Sequence, residues 1–380
     1  MPALDLPEAQ DRPRLAWCCG YTPEEIIEAA GLTPYRLALL PHRPRSAAAW
    51  LPPDFCSYAR SLAEAALSEE GYHRAGVIIV NSCQAMLHLY NFWRRARPGD
   101  FVYLLHVPRQ GGEEAVTYYA EGLRRLWQAI TAHFRVRASE ADLIETIGVY
   151  ARVRSLVERL RRLRRRRPAP LTGAQAAEIM ALAARSAKRD FALWLADQLP
   201  FWEEAAGKGR AVAGSPLPGL GDAPASPEEE IRCVVTGSAA PPEFMAALEG
   251  QGVTVVADDL CTCGRYLEPG GMPEPGAAFD PFLFLAWHYL NRSPCPRMVE
   301  GDRRWRRLVE LVEEYRAGGV IYFGLKFCDY HHYAFPLVRS RLQAAGMPCL
   351  RLEGEYCSND TGQMGTRVQA FVEALGSRRG

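Results

Sequence analysis

Three features of the sequence predict an α/β fold with two parallel sheets. Short apolar strand patterns alternate with helical ones in both halves of the chain, as parallel sheets require. A chain of 380 residues is too long for one ordinary core. One local pattern also occurs twice. Gly76-Val77-Ile78-Ile79-Val80-Asn81-Ser82-Cys83 and Gly319-Val320-Ile321-Tyr322-Phe323-Gly324-Leu325-Lys326-Phe327-Cys328 each read as an apolar strand closed by a cysteine, after which a helical pattern begins. Open α/β sheets build their sites at the carboxyl ends of strands. Two thiols delivered there from separate halves predict a site between two domains.

The elements follow in order. Thr22, Pro23 and Glu25 with Gly31 predict a helix over 22–31, with a capping box, proline at its first position and a glycine stop. A strand is expected at 34–40. Cys56 opens a helical pattern running to about Glu70. The strand to Cys83 follows, then a helix from about Gln84 to Arg95 and a strand over Phe101–His106. From Glu113 to Glu204 the pattern is mostly helical, with a break near Pro168–Thr172. Gly, Pro and Ala dominate 207–228, a linker composition. Strands at Ile231–Thr236 and Val253–Ala257, joined by a helix ending near Gly252, restart the alternation. A charged helix over 303–317 leads to the strand ending at Cys328. A helix from about Tyr333 to Ala345 and a strand at Met347–Leu352 complete it. The predicted organisation is an N-terminal α/β domain over 1–112 carrying Cys56 and Cys83, a mainly helical segment over 113–206, the linker 207–228, and a C-terminal α/β domain over 229–380 carrying Cys328. Both α/β domains are expected to be Rossmann/flavodoxin-like. Beyond the echo around the two cysteines there is no internal repeat.

Composition narrows the function classes. A net charge of +1 gives no reason to expect nucleic acid or an anionic membrane as partner. No apolar run is long enough to span a bilayer. Asp5, Glu8 and Asp11 interrupt any signal-peptide profile, so a cytoplasmic location is expected. Eleven cysteines, odd in number and scattered, argue against a disulfide framework and leave thiols available to metal. Lysine is confined to Lys188, Lys208 and Lys326, arginine taking the other basic positions. Lys326 therefore stands out two residues before Cys328, since guanidinium does not replace a compact ammonium everywhere. Chance survival is the alternative to a site role.

The absence of any CxxC pair argues against a zinc ribbon or a ferredoxin-type spacing. Ligands can still converge from distant segments. Cys56 at a helix start, with Cys83 and Cys328 after strands, suits a three-cysteine metal site, and helix N-termini favour thiolate. For each thiol taken singly the alternative is a buried core cysteine. Cys233 and Cys349 lie in apolar strands and read as core. Cys18-Cys19 and Cys261-Thr262-Cys263 fall nearer loops, where they either line the site or are incidental. Asp258-Asp259 closes a strand; paired acids there bind a metal, orient a base or cap a helix, and Arg265 is close enough to neutralise them. The run from Arg161 to Arg167 ends a predicted helix, where cations suit the dipole. It reads as a solvated helix end, or else as a dock for an acidic partner or nucleotide phosphates. With no GxxxxGK phosphate loop, ATP hydrolysis by this chain itself is not expected. His331-His332 share one short turn, point different ways and are not expected to serve one site.

Several ordered motifs together carry a resemblance. They are Tyr21-Thr22-Pro23-Glu24-Glu25 through Ala30-Gly31, Cys56-Ser57-Tyr58, Asn81-Ser82-Cys83, Thr236-Gly237-Ser238 and Asp258-Asp259-Leu260-Cys261-Thr262. Cys295-Pro296, Lys326-Phe327-Cys328-Asp329, and Gln363-Met364-Gly365-Thr366-Arg367 before Phe371-Val372-Glu373 continue them. Over nearly its whole length the chain resembles the 2-hydroxyacyl-CoA dehydratase family, which also includes benzoyl-CoA reductase subunits and double-cubane cluster proteins. The resemblance implies one 4Fe–4S cluster per subunit on Cys56, Cys83 and Cys328, with an open fourth iron position. It implies a heterodimer with a homologous dehydratase subunit, or a homodimer, for which a double-cubane 8Fe–9S cluster is an alternative. It also implies a separate ATP-hydrolysing iron–sulfur activator that injects the electron.

The implied chemistry is one-electron reduction of the thioester carbonyl of an (R)-2-hydroxyacyl-CoA. The ketyl anion then expels the 2-hydroxyl, a proton leaves the β-carbon, and the electron returns. Lys326 is the candidate for stabilising charge on the thioester oxygen, and Glu25 is a second candidate catalytic residue. The chain departs from the family at Gln84, where Asp is common, and at Cys263, where Gly is frequent; both bear on the substrate and on dehydratase activity itself. Three readings follow: a dehydratase subunit, a reductase of the benzoyl-CoA or double-cubane type, and an electron-relay subunit without its own substrate site.

Overall fold

The computed structural model describes residues 12–37, 45–68, 74–209, 230–269, 279–356 and 361–377. The first α/β unit comprises β1 (Arg14–Trp17), α1 (Glu24–Ala29), β2 (Thr33–Arg36), α2 (Ser57–Leu67), β3 (Arg74–Val80), α3 (Gln84–Ala96) and β4 (Phe101–Leu105). Four helices follow: α4 (Glu113–Phe134), α5 (Glu140–Leu163), α6 (Gly173–Ala183) and α7 (Lys188–Gly207). The second unit runs β5 (Ile231–Gly237), α8 (Pro242–Glu249), β6 (Val253–Asp259), α9 (Pro281–Leu290), α10 (Gly301–Glu314), β7 (Gly319–Leu325), α11 (Asp329–Ala344), β8 (Cys349–Gly354) and α12 (Thr361–Gly376).

Each unit holds a four-stranded sheet, parallel throughout, in the orders β2-β1-β3-β4 and β6-β5-β7-β8. The two orders are the same walk. In each, the chain steps outward from its first strand, then reverses to lay the third strand on the other side. That reversal is a topological switch point, where the loops at the strand ends part and leave a crevice. β3 and β7 hold the same place in their sheets, so the repeated strand–cysteine pattern reflects a repeated topology. Both are apolar and buried on their two faces, as strands covered by helices on both sides must be. Gly237 ends β5 at φ +133°, and a Cβ there would lie 1.9 Å from the Phe323 carbonyl oxygen, so only glycine lets β5 and β7 close at this point.

The four-helix segment packs against both units: α4 on α9, α5 on α1 and α9, α6 on α8. One hydrophobic cluster runs from the first sheet through these helices into the second, and a smaller one fills the space between β7 and α10 and α11. The arginine run at the end of α5 ties the units together. Arg161 donates to the carbonyls of Gly264 (2.9 Å), Tyr266 (2.9 Å) and Leu267 (3.3 Å), and buried Arg164 donates to that of Val255 (2.7 Å). These two are tertiary clamps, not a solvated end. Among the described residues no helix is long and apolar enough to cross a membrane.

Several expectations need correction. The capping box before α1 does not form: Pro23 is the N-cap without a side-chain bond, and the Thr22 hydroxyl is buried with no partner among the described residues. Buried tertiary contacts claim the acids instead, Glu25 going to Arg154 and Tyr289. The glycine stop holds, with Gly31 at φ +77°. The break in the helical stretch near Pro168 also holds. β1, α9 and α12 were not among the predicted elements. β1 is only four residues long, and pairing with β2 and β3 on its two sides makes it a strand. α11 begins at Asp329, ahead of the expected Tyr333, and carries Pro336 inside. The expected strand at 34–40 is β2, Thr33–Arg36; positions 38–40, and nearly all of the expected linker 207–228, lie outside the described residues.

Candidate metal centre

The two switch points face a shared cavity of about 400 Å³. Cys56, Cys83 and Cys328 all line it. Each is the N-cap residue of a helix, α2, α3 and α11 respectively, and none spends its side chain on a cap bond. A helix N-terminus carries unpaired N–H groups and partial positive charge, so three such termini aimed at one space favour anionic sulfur there. The thiols lie close enough to act on one another. Burial pushes the Cys83 thiol up to about 11, and nearby Cys56 pushes it the same way. Burial pushes Cys328 up to about 12, with Cys56, Cys295 and Cys83 adding to it. Cys56 is raised by burial too, with Asp329 and Cys261 contributing. Phe327, directly before Cys328, sits at φ +63°, a left-handed conformation that costs a bulky residue energy.

Sequence reasoning did not assemble a second group of thiols on the same cavity. Cys19 follows β1, Cys261 follows β6, and Cys295 lies in the loop after α9. Cys19 is raised by burial, opposed by Arg297, and raised further by Cys295 and Cys261. Cys295 is raised by burial, with Arg265 and Arg297 pulling it down. Arg36, Arg265, Arg292 and Arg297 line the same cavity, where Asp329 is the sole carboxylate among the described lining residues. Cys295-Pro296 stood among the matched motifs, but nothing in its local sequence tied it to Cys19 or Cys261. Cys18 also reaches the cavity, almost wholly buried, its Sγ 3.6 Å from the Ile78 carbonyl oxygen.

Lys326 is exposed at the end of β7, outside the cavity lining, with no ion-pair partner among the described residues. Glu25 is fully buried away from the cavity, ion-paired with Arg154 and accepting from the Tyr289 hydroxyl at 2.8 Å. Asp258 accepts the Leu260 and Gly264 amides (3.1 and 2.6 Å), and Asp259 pairs with Arg265 at 3.3 Å, so these acids shape the turn after β6. Cys263 is buried beside Asp258 and off the cavity. Cys233 is core as expected, while Cys349 is half-buried at the sheet edge. His331 faces the cavity with its ring 3.3 Å from the Tyr322 hydroxyl, while His332 turns away to the Leu325 carbonyl and Arg351.

Two parallel sheets whose switch points deliver thiols into one cavity define an α/β protein with a cysteine-lined central cleft. The chain belongs to the family described as 2-hydroxyglutaryl-CoA dehydratase, D-component, whose profile matches residues 19–375. It is 25% identical to the (R)-phenyllactyl-CoA dehydratase beta subunit of Clostridium sporogenes, across 93% of this chain and 90% of that one. It is 24% identical to a benzoyl-CoA reductase subunit of Thauera aromatica, across 95% and 90%. It is 22% identical to the lactoyl-CoA dehydratase subunit beta of Anaerotignum propionicum, across 93% and 90%. The family is thus one of 2-hydroxyacyl-CoA dehydratase components with a related reductase, and these relatives are named as subunits.

Proposed function

We propose that this chain is the iron–sulfur subunit of an activator-dependent 2-hydroxyacyl-CoA dehydratase, with a 4Fe–4S cluster held by Cys56, Cys83 and Cys328. The carrying observation is that these three thiols, from both units and each at a helix N-terminus, face one cavity. The donor set fits such a group. Thiolates are the ligands an iron–sulfur cluster takes. Among the described residues no group of three His, Cys, Asp or Glu side chains is arranged to hold a single metal ion. When bound, such a group would supply low-potential one-electron chemistry.

The chain's own residues supply the rest. Tyr58 donates to the Cys18 carbonyl (2.7 Å), and the Ser57 hydroxyl accepts the Tyr356 amide (3.0 Å); both hold the start of α2, and so Cys56, in place. Phe327, Tyr330 and Tyr333 stand at the cavity on the Cys328 side. Lys326 is the candidate cation for the thioester oxygen, reached when substrate or a partner covers its exposed position. Glu25 acts through Tyr289 and Arg154 as a positioning residue for α1. The partners are a homologous subunit or a second copy, and a separate ATP-hydrolysing activator, in the cytoplasm. The two α/β units, divided by the helical segment, serve as the working domains.

A second reading is a reductase of the double-cubane type, favoured by Cys19, Cys261 and Cys295. With Cys56, Cys83 and Cys328 they give one chain two thiol trios on one cavity. Anaerobic reconstitution with iron and sulfide counts and EPR separates the readings: about four irons per chain supports the first, about eight the second. A panel of 2-hydroxyacyl-CoA and aroyl-CoA substrates, with activator, ATP and strong reductant, then tests the chemistry. Catalytic electron input with turnover of a 2-hydroxyacyl-CoA supports the dehydratase; stoichiometric consumption sinks it.

A further inference from the structure

The two thiol trios sit in different electrostatic surroundings, and this carries an inference that rests on the double-cluster reading. Arg36 is buried, its Nη1 2.9 Å from the Cys261 carbonyl oxygen and its Nη2 3.9 Å from the Cys261 sulfur. The guanidinium lies 4.9 Å from the Trp17 ring centroid, held there as a fixed plane. Arg297 is buried as well, donating to the carbonyls of Val107 (2.9 Å) and Pro108 (3.0 Å) and lying over the Tyr21 ring. The Tyr21 hydroxyl accepts the Cys295 amide at 3.2 Å, which places Arg297 beside that cysteine. Its Nε finds no partner among the described residues. Neither guanidinium has a carboxylate partner among those residues, whereas Arg265 has Asp259. A buried cation without a counter-ion is costly, and the cost falls when an anion occupies the adjoining space. On the other side, Asp329, the sole carboxylate among the described lining residues, directly follows Cys328 and raises Cys56.

We propose that Arg36 and Arg297 make the region of Cys19, Cys261 and Cys295 the electron-accepting half of the cavity. An anionic, thiolate-ligated iron–sulfur group held there is reduced at a less negative potential than one held by Cys56, Cys83 and Cys328. Adding an electron increases negative charge, and two fixed cations stabilise that increase in a desolvated space. The step is electron transfer alone. A low-potential one-electron donor is oxidised, the group on the arginine side is reduced, and no bond forms or breaks. Arg36 and Arg297 act through the thiolates and are positioning residues.

The test is an EPR-monitored redox titration of the anaerobically loaded full chain, poised with titanium(III) citrate, on wild type, Arg36→Gln, Arg297→Gln and Arg36→Lys. Iron, sulfide and circular dichroism are measured on each. The expected result is unchanged loading, with the less negative of two midpoints moved to more negative potential in both Gln variants by at least tenfold in the equilibrium, about 59 mV for one electron. Arg36→Lys restores most of the shift. Where Arg36→Gln fails to fold, Arg297→Gln and Arg36→Lys carry the test. About eight irons with unmoved midpoints, or a shift confined to the more negative one, overturns the proposal alone. About four irons in wild type, lost only with Cys56, Cys83 or Cys328, overturns the double-cluster reading and the proposal with it.

Discussion

Cys56, Cys83 and Cys328 differ from Cys19, Cys261 and Cys295 in what stands ready to neutralise a charge on sulfur. The first three rely on helix N-termini, and the like-signed Asp329 stands next to Cys328 and acts on Cys56. The other three lie on loops among guanidiniums. The two sheets share a strand order, and each unit contributes three of the six thiols, but unequally: Cys56 and Cys83 join Cys328, while Cys19 joins Cys261 and Cys295. The difference teaches that a repeated topology can present one ligand type in two electrostatic settings. Backbone dipoles come with the fold, whereas buried arginines depend on long-range packing.

The strongest way to break this comparison is by cysteine replacement. Cys328→Ala is expected to remove most of the iron from anaerobically loaded protein under the single-cluster reading and about half of it under the double-cluster one. Cys295→Ala is expected to remove about half of it under the double-cluster reading and none under the single-cluster one, and Cys233→Ala none in either case. Full iron retention in Cys328→Ala would falsify the assignment of the helix-capping trio.

A smaller effect, on stability, tests how the Cys19 side is held. α1 follows directly on the Cys18–Tyr21 loop, and its Glu25 is fully buried against Arg154. Glu25→Ala strands that guanidinium, at an expected cost of about 3–5 kcal/mol. Urea unfolding measures it, and a loss under about 1 kcal/mol would show that α1 is anchored some other way.

The pH dependence of the metal-free protein sharpens the contrast on the other side. With burial holding Cys83 up at about 11 and Cys328 at about 12, the folded chain keeps protons that an unfolded thiol gives up near pH 8.5. Stability from these groups is fully present below about pH 8.5 and is lost as pH rises toward the folded values, by up to about 1.4 kcal/mol per pH unit per thiol. Urea midpoints between about pH 8 and 10 should fall for the metal-free protein and fall less in Cys83→Ser. A flat profile would remove the claim that these sulfurs are buried as thiols.

The smallest expected effect concerns Phe327. Phe327→Gly relieves the left-handed backbone and is expected to stabilise the metal-free protein by about 1 kcal/mol at most. It also removes an aromatic group from the cavity, so the loaded protein should bleach faster in air. Equal bleaching rates would assign the conformation to chain geometry alone.

The strands ending at Cys83 and Cys328 were legible because apolar β-branched runs closed by a helix start are local patterns. Cys56 was legible as the beginning of an amphipathic helix. The capping box at Thr22 and Glu25 was misread because a local motif competes with partners brought from α5 and α9, and buried charge wins that competition. Lys326, conspicuous by composition, stands exposed outside the cavity. Arginine, common throughout the chain, hid the four that line the cleft.

By itself the sequence determined the α/β alternation, the two strand-end thiols and the placing of Cys56 and Cys83 at helix N-termini, because each follows from periodicity and turn chemistry within about ten residues. Only the tertiary structure decided that β1 joins the first sheet, that Cys19, Cys261 and Cys295 share the cavity with Cys56, Cys83 and Cys328, and that Arg36 and Arg297 attend the former group. Those contacts link residues as far apart as Arg36 and Cys261. They exist because two parallel sheets turn their switch points toward one space, which no local pattern encodes.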